Sequence, residues 1–278
     1  MRRLFIALKL FVSSLVGRVR RIFLGPNTLA LVTQTENGLF ATDPEDRGVG
    51  KELRKTKAYG QDELERVFRY VSGDDSVLVV GAHIGSLTIP IARRCKAVVA
   101  IEANPGTFKL LSMNLLLNQA SNVRAYNLAA SDKAETLEFV LSRSNSGGSK
   151  RMPKVRAFEY FYDAPITISV EADALDERLK DEHFSLVFMD IEGSEYFALK
   201  GMQKVLKSAQ TLFVEYLPHH LRNVSGASPQ EFLSLIAPHF ETLLVPSKAL
   251  SVKKPDFLRT LQAMFDRNEG DDGLIFAK

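Results

Sequence analysis

Three short stretches could together hold a nucleoside. Gly81-Ala82-His83-Ile84-Gly85 follows an apolar run, and its glycines allow a sharp turn and close approach of a ligand or helix, although both suit an ordinary tight turn. The spacing is not G-x-G-x-x-G, so a pyrophosphate cradle is unsupported. Glu102 stands 21 residues after Gly81 at the end of the next apolar run, where a carboxylate can accept from both ribose hydroxyls or simply cap a helix. Ala129-Ala130-Ser131-Asp132 ends the third run, where backbone groups and a carboxylate could meet an adenine amino group, or Asp132 could serve only the turn. Three such features in series point to a nucleoside ligand without a pyrophosphate.

A second set offers acid and base groups. Asp190 directly ends an apolar run, Glu192 and Glu195 follow around the start of a helix, and Glu215-Tyr216 precedes Pro218-His219-His220. Proton removal from a hydroxyl needs a base near the reacting atom, and Asp190, Glu192 and His219 are the candidates; Glu195 reads as a helix-terminal cap. Asp190, Glu192 and Glu215 could instead gather a magnesium ion, an alternative that leaves the use of a divalent metal open.

These groups need a scaffold that brings strand ends together. Strand candidates at 77–80, 97–101, 123–128, 186–189, 212–214, 242–245 and 274–277 alternate with helical stripes, as in 61–71 and 105–116. Such alternation predicts an α/β fold with a doubly wound, mostly parallel seven-stranded sheet. Residues 29–33 read as a short strand, 35–38 as a turn, 43–50 as a polar loop and 142–149 as a Ser/Gly loop. The expected division is an N-terminal extension over 1–60 and a catalytic domain over 61–278.

Composition bounds the class. The chain has 278 residues, 45% hydrophobic and 25% charged, which excludes collagen-like and wholly disordered proteins. Its one cysteine, Cys95, allows no internal disulfide and fits a reducing, cytoplasmic compartment. Residues 1–24 hold six basic side chains and no acid, leaving 30 basic and 33 acidic groups, net −3, for the rest, which argues against a nucleic-acid partner. Leu4, Leu8, Phe11, Leu15, Val19 and Ile22 recur at helical steps within that basic segment. The expectation is an amphipathic helix, packed on the body or a partner chain, or making peripheral membrane contact through residues 1–24; no run is long enough to span a bilayer.

Five blocks in order carry a family resemblance: VLVVGAHIGSL from Val77, IEANP from Ile101, NLAASD from Asn127, MDIEGSEYFALKG from Met189 and VEY from Val214. With them the chain resembles the FkbM family of S-adenosylmethionine-dependent methyltransferases over residues 77–216. The resemblance implies a class I, Rossmann-like methyltransferase using S-adenosyl-L-methionine. Gly81, Ala82, His83 and Gly85 would border the methionine portion, Glu102 the ribose, and Ala130, Ser131 and Asp132 the adenine, with Asn104 and Pro105 shaping the loop below. It further implies methylation of a hydroxyl oxygen on a small-molecule or glycan acceptor. The loop 144–150 is similar to a Gly/Ser segment near the acceptor in that family. The chain departs from the family pattern at Val79 and His83, where Asp and Asn are frequent, which puts one contact to the methionine portion in question. Nitrogen methylation, or a membrane-peripheral binding protein on a decayed methyltransferase fold, are the competing readings.

Overall fold

The computed structural model describes residues 12, 15–17, 19–25 and 27–278; the apolar positions Leu4, Leu8 and Phe11 of the N-terminal stripe lie outside them. The strands are β1 (Leu31–Thr35), β2 (Gly38–Thr42), β3 (Ser76–Val80), β4 (Ala97–Glu102), β5 (Val123–Asn127), β6 (Ala129–Ser131), β7 (Glu135–Leu141), β8 (Lys150–Arg151), β9 (Ile166–Ala174), β10 (Leu186–Met189), β11 (Thr211–Tyr216), β12 (Thr242–Val245), β13 (Leu250–Lys253) and β14 (Asp271–Ala277). The main sheet runs β13-β12-β14-β11-β10-β3-β4-β5, parallel from β11 to β5 and antiparallel at β14, β12 and β13.

Alternate residues of each central strand face opposite helical layers, because side chains along a strand point to opposite faces. Leu78, Val80, Val187, Met189, Leu212 and Val214 pack on one side with residues of the helices Glu195–Lys200, Gln203–Ser208, Pro229–Ser234 and Phe257–Arg267. Val77, Val79, Leu186, Phe188, Phe213 and Ile275 pack on the other, against Leu64, Val67, Ile91 and Leu111 of the helices Gln61–Val67, Thr88–Ala92 and Pro105–Leu117. Burial on both faces is why these strands read as continuous apolar runs.

The main sheet has eight strands where seven were expected. The additional one, β13, is an edge strand whose side chains are mostly exposed, so it lacks the apolar signal of a buried strand. A second sheet, ordered β6-β9-β7-β8, stands beside the ends of β4 and β5. The Ser/Gly stretch is also more ordered than a plain loop: it holds a 3₁₀ turn at Ser146–Gly148 and delivers Lys150 into β8. Cys95 is buried, and burial pushes its thiol up to about 11, as suits a packing residue.

Residues 31–56 pack onto the body. Phe40, Val49 and Leu53 share a core with Ile84 and Ile89. Asn114, fully buried on the helix Pro105–Leu117, clips β2 to the glycine turn: its Oδ1 accepts from Ala41 N at 2.7 Å, and its Nδ2 donates to Ala41 O at 3.1 Å and Ile84 O at 2.8 Å. Replacing Asn114 by Ala strands these backbone groups in the core and should lower unfolding stability by about 2–4 kcal/mol, measurable by urea denaturation.

Candidate active site

From β3 the chain winds outward through β4 and β5, then returns to add β10 and β11 on the other side, so the β3/β10 boundary is the switch point of the sheet. Ligand crevices form there because the connecting loops part in opposite directions. Gly81 leaves β3 at φ 89°, and a Cβ on it would lie 1.8 Å from the Asp190 carbonyl oxygen at the end of β10. Only glycine fits between these two backbones.

The crevice has two lobes. One is lined by Gly81, His83, Glu102, Ala129, Ala130, Leu137, Phe139, Asp190 and Glu192. The other is lined by Tyr59, Ala82, Ser86, Thr88 and Asn145, together with Gly81, His83, Gly147, Asp190 and Glu192, which border both. A cleft with apolar walls and a few convergent polar groups suits a small-molecule ligand.

Glu102 organises the first lobe. Its Oε2 accepts from His83 N and its Oε1 from Asn104 N, each at 2.8 Å, so one carboxylate ties the glycine turn to the start of the next helix. Burial raises it to about 7, against the lowering effect of those two bonds. Asn104 accepts from Gly106 N and Thr107 N as the helix cap, and Gly85 stacks under Leu111 and Ile89 rather than facing the lobes. Ala129 and Ala130 line the wall, whereas Ser131 donates to Glu135 Oε1 at 2.7 Å and Asp132 pairs with Lys200 at 2.7 Å, both outside the lining.

His83 and Glu192 both hold positive φ, 52° and 57°, a strained conformation for residues with side chains, and both stand where the lobes meet. His83 Nε2 lies 2.8 Å from Ser146 Oγ, which donates to Asp46 Oδ2 at 3.1 Å. Burial depresses the His83 imidazole below its ordinary value, so it is neutral at pH 7. Asp190 is driven the other way, well above the carboxylate range, first by burial and then by Glu192 and Glu195; its Oδ1 is buried with no hydrogen-bond partner. Glu195 accepts from Ile191 N at 2.9 Å, so it ties the loop after β10 to the first turn of the helix Glu195–Lys200 instead of capping that helix.

Behind Glu192 lies a buried chain of charges that the sequence did not announce. Lys150, 6% exposed, donates to Glu192 Oε2 at 2.8 Å and approaches His220 Nε2 at 3.3 Å. An ammonium has no acceptor lone pair, so Nε2 is the unprotonated nitrogen and Nδ1 carries the proton, 3.5 Å from Glu215 Oε2. His220 is held far below its ordinary value by burial, then by Lys150 and His219. Of the histidine pair, His220 thus takes the buried place, while His219 is half-buried outside the lining of both lobes.

Glu192, Glu215 and His220, and likewise Asp190, Glu195 and Glu215, bring potential ligand atoms within 4.8 Å of one another. The Lys150 ammonium already faces Glu192 and His220, so a divalent ion would have to displace it, and Glu195 is committed to its backbone bond. Sequence reading missed Lys150 because it ends a Ser/Gly stretch, and missed Asp46 and Tyr59 because residues 25–60 carry no motif. Replacing Lys150 by Met should raise the His220 pKa, since a neighbouring positive charge that disfavours imidazolium is lost; NMR titration of the imidazole protons checks this, and an unmoved titration would place the ammonium elsewhere.

Comparison with known proteins completes the description of the site. The family model described as "Methyltransferase FkbM domain" matches residues 80–267. The 2-O-methyltransferase NoeI of Sinorhizobium fredii is 28% identical over 132 residues, 43% of this chain and 53% of that protein. A probable cobalt-precorrin-6B C(15)-methyltransferase of Methanocaldococcus jannaschii is 34% identical over 82 residues, 30% of this chain and 44% of that protein. The chain therefore spans about half the length of these curated relatives. The crystal structure of an FkbM methyltransferase from Methylobacillus flagellatus aligns with a TM-score of 0.44 at 18% identity, covering 74% of this chain and 44% of that one. With most of its length under the family model, and with the switch-point cleft lying between the matched strand ends, this chain belongs to the FkbM methyltransferase family.

Proposed function

We propose that the chain transfers a methyl group from S-adenosyl-L-methionine to a hydroxyl oxygen of a small acceptor, a sugar, glycan or secondary metabolite. The observation that carries this reading is the meeting of the two lobes at Gly81, Asp190 and Glu192, with Glu102 and Ala130 on the adjoining strand ends. The glycine cradle and the buried, unpartnered Asp190 Oδ1 fit a polar ligand drawn close to backbone. Glu102 would receive the ribose hydroxyls, and Ala129, Ala130, Leu137 and Phe139 would enclose the adenine. Ser131 and Asp132 would hold that turn through Glu135 and Lys200. Gly81, Ala82 and His83 would border the methionine end beside Tyr59, Ser86 and Thr88. The named 2-O-methyl activity of NoeI supports oxygen as the acceptor atom.

When bound, S-adenosylmethionine would supply an electrophilic methyl group for the acceptor oxygen, with its sulfur as the leaving group. Glu192 takes the proton that the hydroxyl loses. Lys150 holds Glu192 in place and balances its charge. Asp190, kept protonated by burial and its acidic neighbours, donates a hydrogen bond rather than removing a proton.

Calorimetry of the protein with S-adenosylmethionine and S-adenosylhomocysteine tests the reading first: binding of both supports it, and a folded protein that binds neither overturns it. An ionised Glu102 accepts from the ribose hydroxyls more strongly than a protonated one, which turns one of its oxygens into a donor, and burial raises that carboxyl to about 7. Cofactor affinity should therefore rise from about pH 6 to about pH 8, and Glu102→Gln should flatten the profile. Glu192→Gln should lower kcat by about 10²–10⁴-fold while cofactor affinity stays near that of the unaltered protein. Full turnover in that variant would remove Glu192 as the base.

A further inference from the structure

The N-terminal helix is mounted inside out. Its described residues 12, 15–17 and 19–24 are helical, and the side that meets the body is the small and polar one. Gly17 is buried so closely against the 43–46 loop that a Cβ would lie 2.7 Å from Glu45 O. Arg21 grips the same loop, with Nε 2.5 Å from Glu45 Oε1 and Nη2 2.8 Å from Asp43 Oδ2. Val12, Leu15, Val16, Val19, Ile22 and Phe23 lie along a single stripe of the helix, and all six are exposed, Ile22 at 74% and Phe23 at 87%. An amphipathic helix that packs only to complete a fold turns its apolar stripe inward. This one is fastened by its polar side and presents the stripe to the outside.

A separate groove on the fastened side of the helix is lined by Leu29, Leu110, Met113, Leu141 and Ile166 together with Arg21, Asp43 and Glu45. The exposed stripe of the helix is of the kind that marks an interaction surface. Charge decides among its occupants. The first 35 residues contain six basic side chains and no acid. A second copy would set one basic segment against another, whereas an anionic bilayer complements the charge and accepts the apolar stripe.

We propose that the apolar stripe of the N-terminal helix docks the protein on an anionic lipid surface. Arg21 and Gly17 fix the angle at which the body meets the bilayer. The surface is a peripheral one, since no described helix is long and apolar enough to cross a membrane.

The full chain is mixed with phosphatidylcholine vesicles, with and without phosphatidylglycerol, and bound protein is measured by co-sedimentation. Partitioning about tenfold or more in favour of the anionic vesicles is expected, falling at high salt and falling about tenfold in the double variant Ile22→Glu, Phe23→Glu. Leu258→Glu, on the helix Phe257–Arg267 and also exposed, should leave partitioning unchanged. The chain has no tryptophan, so Phe23→Trp adds a single reporter whose emission should shift to the blue when anionic vesicles are added. Equal partitioning of the unaltered protein and the double variant, no preference for anionic vesicles, or an unmoved emission from that indole reporter would each overturn the proposal. So would a dimer, seen by analytical ultracentrifugation without lipid and absent in the double variant, because it would assign the stripe to a second copy.

Discussion

The approach of β3 to β10 at the switch point is the constraint on which the site depends. The Gly81 Cα stands where any side chain would meet the Asp190 carbonyl at 1.8 Å, so the two strand ends close to a distance that only a glycine permits. That contact sets where Asp190 and Glu192 emerge relative to His83 and Glu102, and thus the shape of both lobes. Glu102 reinforces it by accepting from the backbone on either side of the cleft floor. Strain at His83 and Glu192 is tolerated because the surrounding sheet, buried on both faces, leaves the loops no other course.

Around that floor, electrostatics separates groups of similar chemistry into different roles. Asp190 and Glu215 are both driven well above the carboxylate range by burial and by each other's neighbourhood, while Glu192 keeps an ammonium at 2.8 Å. Low dielectric makes each unpaired charge costly, so the cluster is stable only with protons on its deepest members and Lys150 beside the outermost. The same burial keeps His83 and His220 neutral. A cleft that holds neutral imidazoles, a protonated acid and one paired carboxylate is suited to moving a single proton.

Besides the apolar core that Phe40, Val49 and Leu53 share with Ile84 and Ile89, polar contacts join the N-terminal region to the body. Asp46 accepts from Gly48 N and Gly50 N at 2.8 Å each and from Ser146, so the 43–50 turn, the Ser/Gly segment and His83 form one connected unit. Arg21 reaches the same turn through Asp43 and Glu45. The loop that steadies the surroundings of His83 is therefore also the one to which the outward-facing helix is fastened.

The order of buried strands and intervening helices could be read from the sequence, since a strand covered on both faces must be apolar throughout, as Leu186–Met189 is. So could the strand-end groups Gly81, Glu102, Asp190 and Glu192, because topology places such positions at the cleft whatever the details of packing. The edge strand β13, the second sheet's hold on Lys150, and the choice of His220 over His219 as the buried histidine were decided by tertiary structure alone. Each depends on contacts between segments far apart in the chain, Lys150 with Glu192 and Ser146 with Asp46 among them, and local periodicity holds no record of such partners. The outward orientation of the N-terminal stripe belongs with them: the pattern of a helix states that an apolar face exists, and only the packing of Gly17 and the Arg21 ion pairs determine which way it points.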